Sequence, residues 1–316
     1  MTFLSAEAVA LALRQRLDPV HARLRLGMER EHEAYAARRG LKHGYVRGQP
    51  VFKATIEAAL RLSGMHRRGR ANAANIVVRT HVVTSAGLPA EFDGFTILHL
   101  TDLHADLSIP AMTEAARLIG GLDYDLCVLT GDYRNRTYGP YQPCLEAMLP
   151  VLAAIQGDTH GILGNHDPVL LVPDLERLGV RMLLNENVAI ARGGARLYLA
   201  GIDDPHLYRL DNIEKAAAGI PADAFSILLS HTPEVYRQAA HAGFDLMLSG
   251  HTHGGQICLP GGMPVILASA LPRRMASGSW RHAGMVGYTS AGVGTCQVAA
   301  RFNCPPEITL HRLRRA

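Results

Sequence analysis

The 316-residue chain is 48% hydrophobic and 19% charged, with a formal net charge of +4. That balance is ordinary for a folded globular protein and excludes a disordered chain, leaving room for one large domain or two small ones. No stretch approaches the ~20 apolar residues of a membrane span, and the five cysteines (Cys127, Cys144, Cys258, Cys296, Cys304) show no CxxC pairing, which argues for reduced, mostly buried thiols rather than a disulfide or zinc framework.

The basic charge belongs to the N-terminal segment. Residues 1–72 hold fourteen Lys/Arg against six Asp/Glu, a net +8, so residues 73–316 carry −4. The apolar piece AVALAL is short, lacks a basic start and is flanked by Glu7 and Arg14. It makes a poor signal peptide, and the sequence reads as cytoplasmic. Leu13, Leu17, Val20, Leu24 and Met28 recur at spacings of three and four, the pattern of an amphipathic helix bent near Pro19. A second helix is predicted from about Ala54 to Met65. Such a basic extension either lies on an anionic membrane surface, as a peripheral contact with the inner membrane face, or packs on its own domain and turns its arginines to water.

Arg67–Asn75 (RRGRANAAN) is polar and glycine-containing and reads as a junction. The expected organisation is a basic, helical extension over 1–72 and one larger domain over 73–316. Within the latter, strands are predicted at about 76–84, 95–101, 124–130, 160–163, 187–191, 195–201, 225–230, 244–249, 285–289 and 306–312. Helices are predicted at about 110–121, 141–155, 168–178, 211–218 and 232–241. Early strand–helix alternation followed by closely spaced strands predicts an α/β fold of two packed β-sheets flanked by helices.

Five of these apolar runs end on residues that ligate metals. FTILHL leads into Thr101-Asp102-Leu103-His104, YDLCVLT into Gly131-Asp132, and HGIL into Gly164-Asn165-His166-Asp167. FSILLS leads into His231, and DLMLS into Gly250-His251-Thr252-His253. The carboxyl ends of strands are where open α/β sheets place their sites. Asp102/His104 and His251/His253 are spaced i, i+2, which puts each pair on one side of an extended segment. Asp102, His104, Asp132, Asn165, His231, His251 and His253 are too many ligands for one tetrahedral zinc. They suit two adjacent divalent ions, a geometry that clamps both the attacking and the leaving oxygen of a phosphoryl displacement. Mixed nitrogen and oxygen ligands favour Mn, Fe, Co or Zn over Mg or Ca.

In this order the blocks resemble the D-x-H, G-D, G-N-H-(D/E), H and G-H-x-H motifs of the calcineurin-like metallophosphoesterases, over roughly residues 76–312. GHTHGGQI (Gly250–Ile257) and RFNCPPEITL (Arg301–Leu310) look like the branch of YkuE/YaeI-type phosphodiesterases, which is related to proteins that cleave UDP-2,3-diacylglucosamine in lipid A synthesis. The resemblance implies the family's α/β-β/α sandwich. It implies that Asp102, His104 and His253 hold one metal, that Asn165, His231 and His251 hold the other, and that Asp132 bridges. His166 would stand beside the phosphate and protonate the leaving oxygen.

One position departs from the family pattern. Many members carry an Asp three residues after the metal-binding Asp, paired with the catalytic His; here it is Asn135. A neutral partner raises the His166 pKa less than a carboxylate does, and Asp167 is the candidate substitute. Arg134 and Arg136 either hold a second phosphate or face solvent. Asp203 and Asp204 in GIDDP either orient a ligand histidine, shape the rim or form a plain turn. His81, His160, His206, His241, His282 and His311 read as ordinary surface or core residues.

The implied activity is dinuclear, metal-dependent hydrolysis of a phosphodiester or pyrophosphate by metal-bound hydroxide. The branch and the basic extension point to a nucleotide-sugar lipid of the UDP-2,3-diacylglucosamine type. A soluble nucleotide or other phosphodiester is the alternative, and a non-catalytic scaffold on the same fold is a remote one. No specific nucleic acid partner is expected, since the basic segment would contact phosphates without sequence preference.

Overall fold

The computed structural model describes residues 6–38, 49–267, 269 and 271–316. Four helices come first: α1 (Ala6–Arg16), α2 (Pro19–Arg38), α3 (Gln49–Leu62) and α4 (His66–Ala74). The chain continues through β1 (Val77–Ser85), β2 (Thr96–Leu100), α5 (Ile109–Ile119), β3 (Leu126–Leu129), α6 (Gln142–Ala154), β4 (Thr159–Gly161), α7 (Val172–Arg177) and β5 (Val180–Met182). Then come β6 (Glu186–Arg192), β7 (Ala195–Gly201), α8 (Ile213–Ala217), β8 (Ser226–Leu229), α9 (Tyr236–His241) and β9 (Leu246–Ser249). The short hairpin β10 (Cys258–Leu259) and β11 (Met263–Pro264) precedes β12 (Gly278–His282), β13 (Met285–Thr289) and β14 (Glu307–Arg315).

Two six-stranded sheets form the centre, ordered β1-β14-β2-β3-β4-β5 and β12-β13-β9-β8-β7-β6. β2 through β5 run parallel, as do β7, β8, β9 and β13. This is the expected pair of packed sheets. Strand alternation divides the apolar residues between layers. Ile97 and Val128 face the space between the sheets with Leu199, Ile227 and Leu248. Leu98, Leu100, Cys127 and Leu129 face outward onto α5, α6 and α7. Both faces of β2 are covered, which is why it reads as an unbroken apolar run. α5 shows how a crossover helix is fixed. Ser108 caps it by accepting from Ala111 N, Pro110 sits in the first turn, and Ala111, Met112, Ala115 and Ile119 form its buried stripe.

The N-terminal helices differ from expectation in an informative way. The predicted bend at Pro19 is a complete break, with Asp18 Oδ1 accepting from Val20 N at 2.9 Å and His21 N at 3.2 Å to start α2. Val9, Leu13 and Leu17 join the core that holds Leu171, Val172 and Leu175. After the break the apolar stripe is not what packs: Val20 and Leu24 are exposed, while His21, Ala22 and Arg25 are buried. The reason is electrostatic. Arg25 Nε lies 3.2 Å from Glu29 Oε1 and 3.6 Å from Asp203 Oδ1, and its guanidinium stacks 3.5 Å from the Tyr208 ring centroid. His21 Nε2 is 2.7 Å from Asp203 Oδ2. Buried ion pairs have set the register of α2 in place of its leucines.

The predicted junction Arg67–Asn75 is also different: most of it lies in α4. Alanine and arginine favour helix. Gly69 is required because a Cβ there would sit 2.9 Å from both Ala300 and Phe302 side-chain atoms. Among the described residues no helix is long and apolar enough to cross a membrane.

Candidate metal centre

The five motif loops follow β2, β3, β4, β8 and β9, and they meet where the two sheets face each other. Backbone bonds tie them together: Asp102 N to Gly131 O at 2.9 Å, His104 N to Asp132 O at 3.0 Å, and Gly250 N to His231 O at 2.9 Å. The loops touch so closely that side chains are excluded at two points. A Cβ on Gly164 would lie 2.2 Å from Asp132 Oδ1, and one on Gly250 would lie 2.2 Å from Asp102 Oδ2. Asp102, His104, Asp132, His251 and His253 all have positive φ, between 38° and 70°. Left-handed backbone at non-glycine residues costs ~1–3 kcal/mol each and persists where surrounding structure enforces it, typically at functional sites.

All seven predicted ligand side chains come together here. His104 donates from Nδ1 to Arg134 O at 2.8 Å, and His231 from Nδ1 to Thr130 O at 2.8 Å. Each is thereby fixed with its Nε2 lone pair turned inward. His104 Nε2 lies 3.1 Å from His253 Nε2, and His231 Nε2 lies 3.0 Å from Asn165 Oδ1. Asp132 Oδ2 sits between the two halves, 3.6 Å from His104 Nε2 and 3.3 Å from His231 Nε2. Asp102 Oδ2 accepts from Thr101 Oγ1 and His251 N, both at 2.9 Å. Its Oδ1 is buried without a hydrogen-bond partner, 3.3 Å from His253 Nε2.

This donor set fits divalent cations. Lone pairs face lone pairs, and a buried carboxylate oxygen faces into the group unsatisfied, an arrangement that only protons or metals reconcile. Side-chain atoms of Asp102, His104 and Asp132 lie within 4.8 Å of one another, as do those of Asp132, His231 and His251. Electrostatics agree. Burial pushes Asp102 up to about 6. Burial opposes ionisation of Asp132 too, yet the neighbouring His231 and His166 hold it well below its ordinary value. Burial lowers the basicity of His231, but the carboxylates of Asp132 and Asp102 overcome it and raise His231 to about 10. In the absence of a cation a proton on His231 would answer the buried negative charge, and a bound cation would take its place at Nε2.

His166 stands at the rim, with its side chain 13% exposed and Nε2 3.9 Å from Asp132 Oδ2. Its backbone N–H donates to Asp132 Oδ1 at 2.9 Å. Asp167 does not substitute for the missing carboxylate. It accepts from Gly164 N and Tyr133 N at 2.9 Å, holding the backbone of two motif loops. The partner of His166 Nδ1 is Thr137 Oγ1 at 3.2 Å, a residue the motif pattern does not reveal. Asn135 Oδ1 instead accepts from Gln297 N at 3.3 Å.

Arg134 is not available to a second phosphate. It is buried and donates to the carbonyls of His166, Thr137 and Gly139. Arg136 is exposed. Asp203 holds α2, and Asp204 accepts from His206 N, Leu207 N and Tyr208 N, a turn-forming role. His206, read as ordinary from sequence, lies against the His251 ring with centroids 4.4 Å apart and pairs with Glu234 at 3.0 Å. Arg301 was visible only as part of the tail motif. It is fully buried and donates to the carbonyls of Ala291, Gly294 and His253, which fixes the loop carrying His253.

The profile of the calcineurin-like phosphoesterases matches residues 95–255, which contain the five motif loops that carry the candidate ligands. Among relatives, the metallophosphoesterase YkoQ of Bacillus subtilis is 30% identical over 240 residues, spanning 72% of this chain and 86% of its own length. YkuE of the same organism is 28% identical across 84% of this chain and 95% of its own. The phosphodiesterase YaeI of Escherichia coli is 30% identical across 69% and 82% respectively. The chain thus belongs to the calcineurin-like phosphoesterase family and is a metal-dependent phosphoester hydrolase.

Proposed function

We propose that this chain is a dinuclear hydrolase of phosphodiesters or pyrophosphates. Asp102, His104 and His253 would hold one ion, Asn165, His231 and His251 the other, and Asp132 would serve both. The observation that carries this reading is the Asp132 Oδ2 atom, 3.6 Å from His104 Nε2 and 3.3 Å from His231 Nε2, between two groups of inward-facing donors. Mn, Fe, Zn or Co suits such a mixed nitrogen and oxygen set.

When bound, the ions supply positive charge that polarises a phosphoryl group and acidifies water. The protein supplies order around them. Thr130 and Arg134 carbonyls lock the rotation of His231 and His104, so the donors need no rearrangement. His166 is the group placed to move a proton. Its Nδ1 is held by Thr137, which leaves Nε2 facing the cluster. Burial holds its pKa below the ordinary value, against the pull of Asp132. A proton donor at this position would matter most for poor leaving groups, which must be protonated as they depart.

The name of the Escherichia coli relative, a phosphodiesterase, favours a diester over a monoester. The finer substrate, an acylated nucleotide sugar reached from an anionic membrane, would use the exposed Leu11, Val20, Leu24 and Leu62 of the N-terminal helices. A panel of bis-p-nitrophenyl phosphate, p-nitrophenyl phosphate and UDP-2,3-diacylglucosamine, run with and without anionic liposomes, tests both levels. Diester turnover that exceeds monoester turnover, stops on chelation and returns with Mn supports the reading. Full activity in chelator overturns it. Liposome-independent turnover with no hydrolysis of the acylated substrate leaves a soluble diester as the substrate.

A further inference from the structure

Cys296 lies beside the candidate metal centre, although no motif includes it. Its sulfur is within 4.8 Å of a ring nitrogen of both His104 and His253, two nitrogens 3.1 Å from each other. A second feature points into the same place: Asp102 Oδ1, buried, without a hydrogen-bond partner, 3.3 Å from His253 Nε2. Two imidazoles and a thiol are thus gathered at one point, with the Asp102 carboxylate beside one of the imidazoles; with the shared Asp132 the thiol would be a fifth donor to that position.

The backbone holds Cys296 there from two sides. The Gln256 amide accepts from Cys296 N at 2.8 Å and donates to Cys296 O at 3.1 Å and Val298 O at 2.9 Å. Gln256 follows His253 by three residues in the same left-handed loop, so one loop positions both donors. From the other side, Asn135 Oδ1 accepts from Gln297 N at 3.3 Å, and Gln297 itself has φ +65°. Asn135, anomalous as a partner for His166, has a use as a clamp on this segment.

We propose that Cys296 is a ligand of the ion held by Asp102, His104 and His253, which biases that position toward thiophilic divalent metals such as Zn or Cd and away from Mn. The proposal rests on the assignment of that ion to those three residues. On binding, the S–H bond of Cys296 is exchanged for an S–metal bond and the proton leaves to solvent; nothing is oxidised or reduced.

Zinc-edge X-ray absorption on the zinc-loaded full chain tests this directly. The expected result is a sulfur scatterer at about 2.3 Å beside nitrogen and oxygen, absent in Cys296→Ser. In competition titrations the same variant should lose ~10–100-fold in Cd affinity, the scale on which groups around a metal act, with a much smaller change for Mn. A nitrogen and oxygen shell alone in the wild-type protein, or sulfur that survives in Cys296→Ser, overturns the proposal while leaving the dinuclear reading intact. A chain that binds no zinc overturns the thiolate ligand, and one that binds no Mn, Fe or Co either removes the dinuclear reading as well. Should Cys296→Ser not fold, mapping which wild-type cysteine zinc shields from alkylation decides: protection of Cys296 supports the ligand role, and its free alkylation in the zinc-loaded chain rejects it.

Discussion

Thr137 Oγ1 lies 3.2 Å from His166 Nδ1 and the Asn135 backbone also hydrogen-bonds the ring, so a hydroxyl and a main-chain group, not a carboxylate, orient the imidazole at the rim of the site. A hydroxyl fixes the ring but raises its basicity little. Thr137→Val should therefore lower turnover by less than the ~10² floor of losing a general acid outright, and chiefly for substrates with poor leaving groups. Thr137→Asp should act oppositely on the pH profile. A carboxylate stabilises the protonated ring, so the limb that reports loss of the acid form should move to higher pH. Profiles that superimpose for wild type and Thr137→Asp would show that the pairing is not maintained during turnover.

His166→Ala separates chemistry from metal binding. Turnover should fall by ~10²–10⁴ with metal content near that of the wild-type protein. The loss should shrink with p-nitrophenolate as the leaving group, which needs little protonation. Metal analysis after dialysis checks this, and a variant that also sheds an ion would make His166 a ligand.

Asp132→Asn removes the charge shared by both halves of the centre. Elemental analysis of loaded wild-type protein should approach two ions per chain, and the variant should weaken both. An active wild-type enzyme holding one tight ion, indifferent to a second, would overturn the two-metal mechanism.

The sequence carried the site further than it carried the fold. Every strand that ends on a motif residue was legible, because a buried strand is an apolar run and a ligand breaks it abruptly. β12 was missed because Gly278-Ser-Trp-Arg-His is an edge strand with a single large apolar residue, and β5 because Val180–Met182 is too short for any period. The partner of His166 was not legible, since Thr137 lies in an irregular loop that Arg134 holds by carbonyl contacts. Cys296 was passed over for a related reason: a lone cysteine reads as a buried thiol until its distance to His104 and His253 is known. The packing of α2 was illegible in kind. Its leucine spacing is real, but Arg25 and His21 find Asp203, 178 or more residues away in sequence, and no local pattern announces that.

The imidazoles between the sheets give the fold a pH dependence separate from catalysis. His99 contacts His311 at 3.2 Å and Thr130 at 2.8 Å, fully buried, and burial pushes its pKa down to about 3. The folded chain keeps His99 neutral while the unfolded chain protonates it below about 6.5. Its contribution is thus complete above that pH and is lost as pH falls toward 3, at about 1.4 kcal/mol per pH unit. His99→Gln, which retains a hydrogen-bonding amide, should show a shallower fall in urea midpoint between pH 6.5 and 4. Parallel curves for the two proteins would mean that His99 is not the titrating group.

The N-terminal helices offer the last test. The basic extension had two expected placements, on an anionic membrane surface or packed on its own domain, and deletion of residues 1–70 separates them: the first leaves a soluble, active domain, the second an unstable one with an apolar scar. Packing of Val9, Leu13 and Leu17 against Leu171, Val172 and Leu175 favours the second. Arg25 strengthens it, because the guanidinium donates to Asp167 O at 2.8 Å and so braces the loop that bears His166. Arg25→Ala should cost ~3–5 kcal/mol, since it leaves the buried Asp203 with His21 as its remaining partner and the part-buried Glu29 without its counter-charge. The double variant Arg25→Met/Asp203→Asn should recover part of that loss by removing the fully buried of the two carboxylates. Thermal melts of these variants, with solubility of the 1–70 deletion, measure it. A deletion that stays soluble, melts with the full chain and hydrolyses a small diester within a few-fold of it would show that the extension is not part of the folded unit.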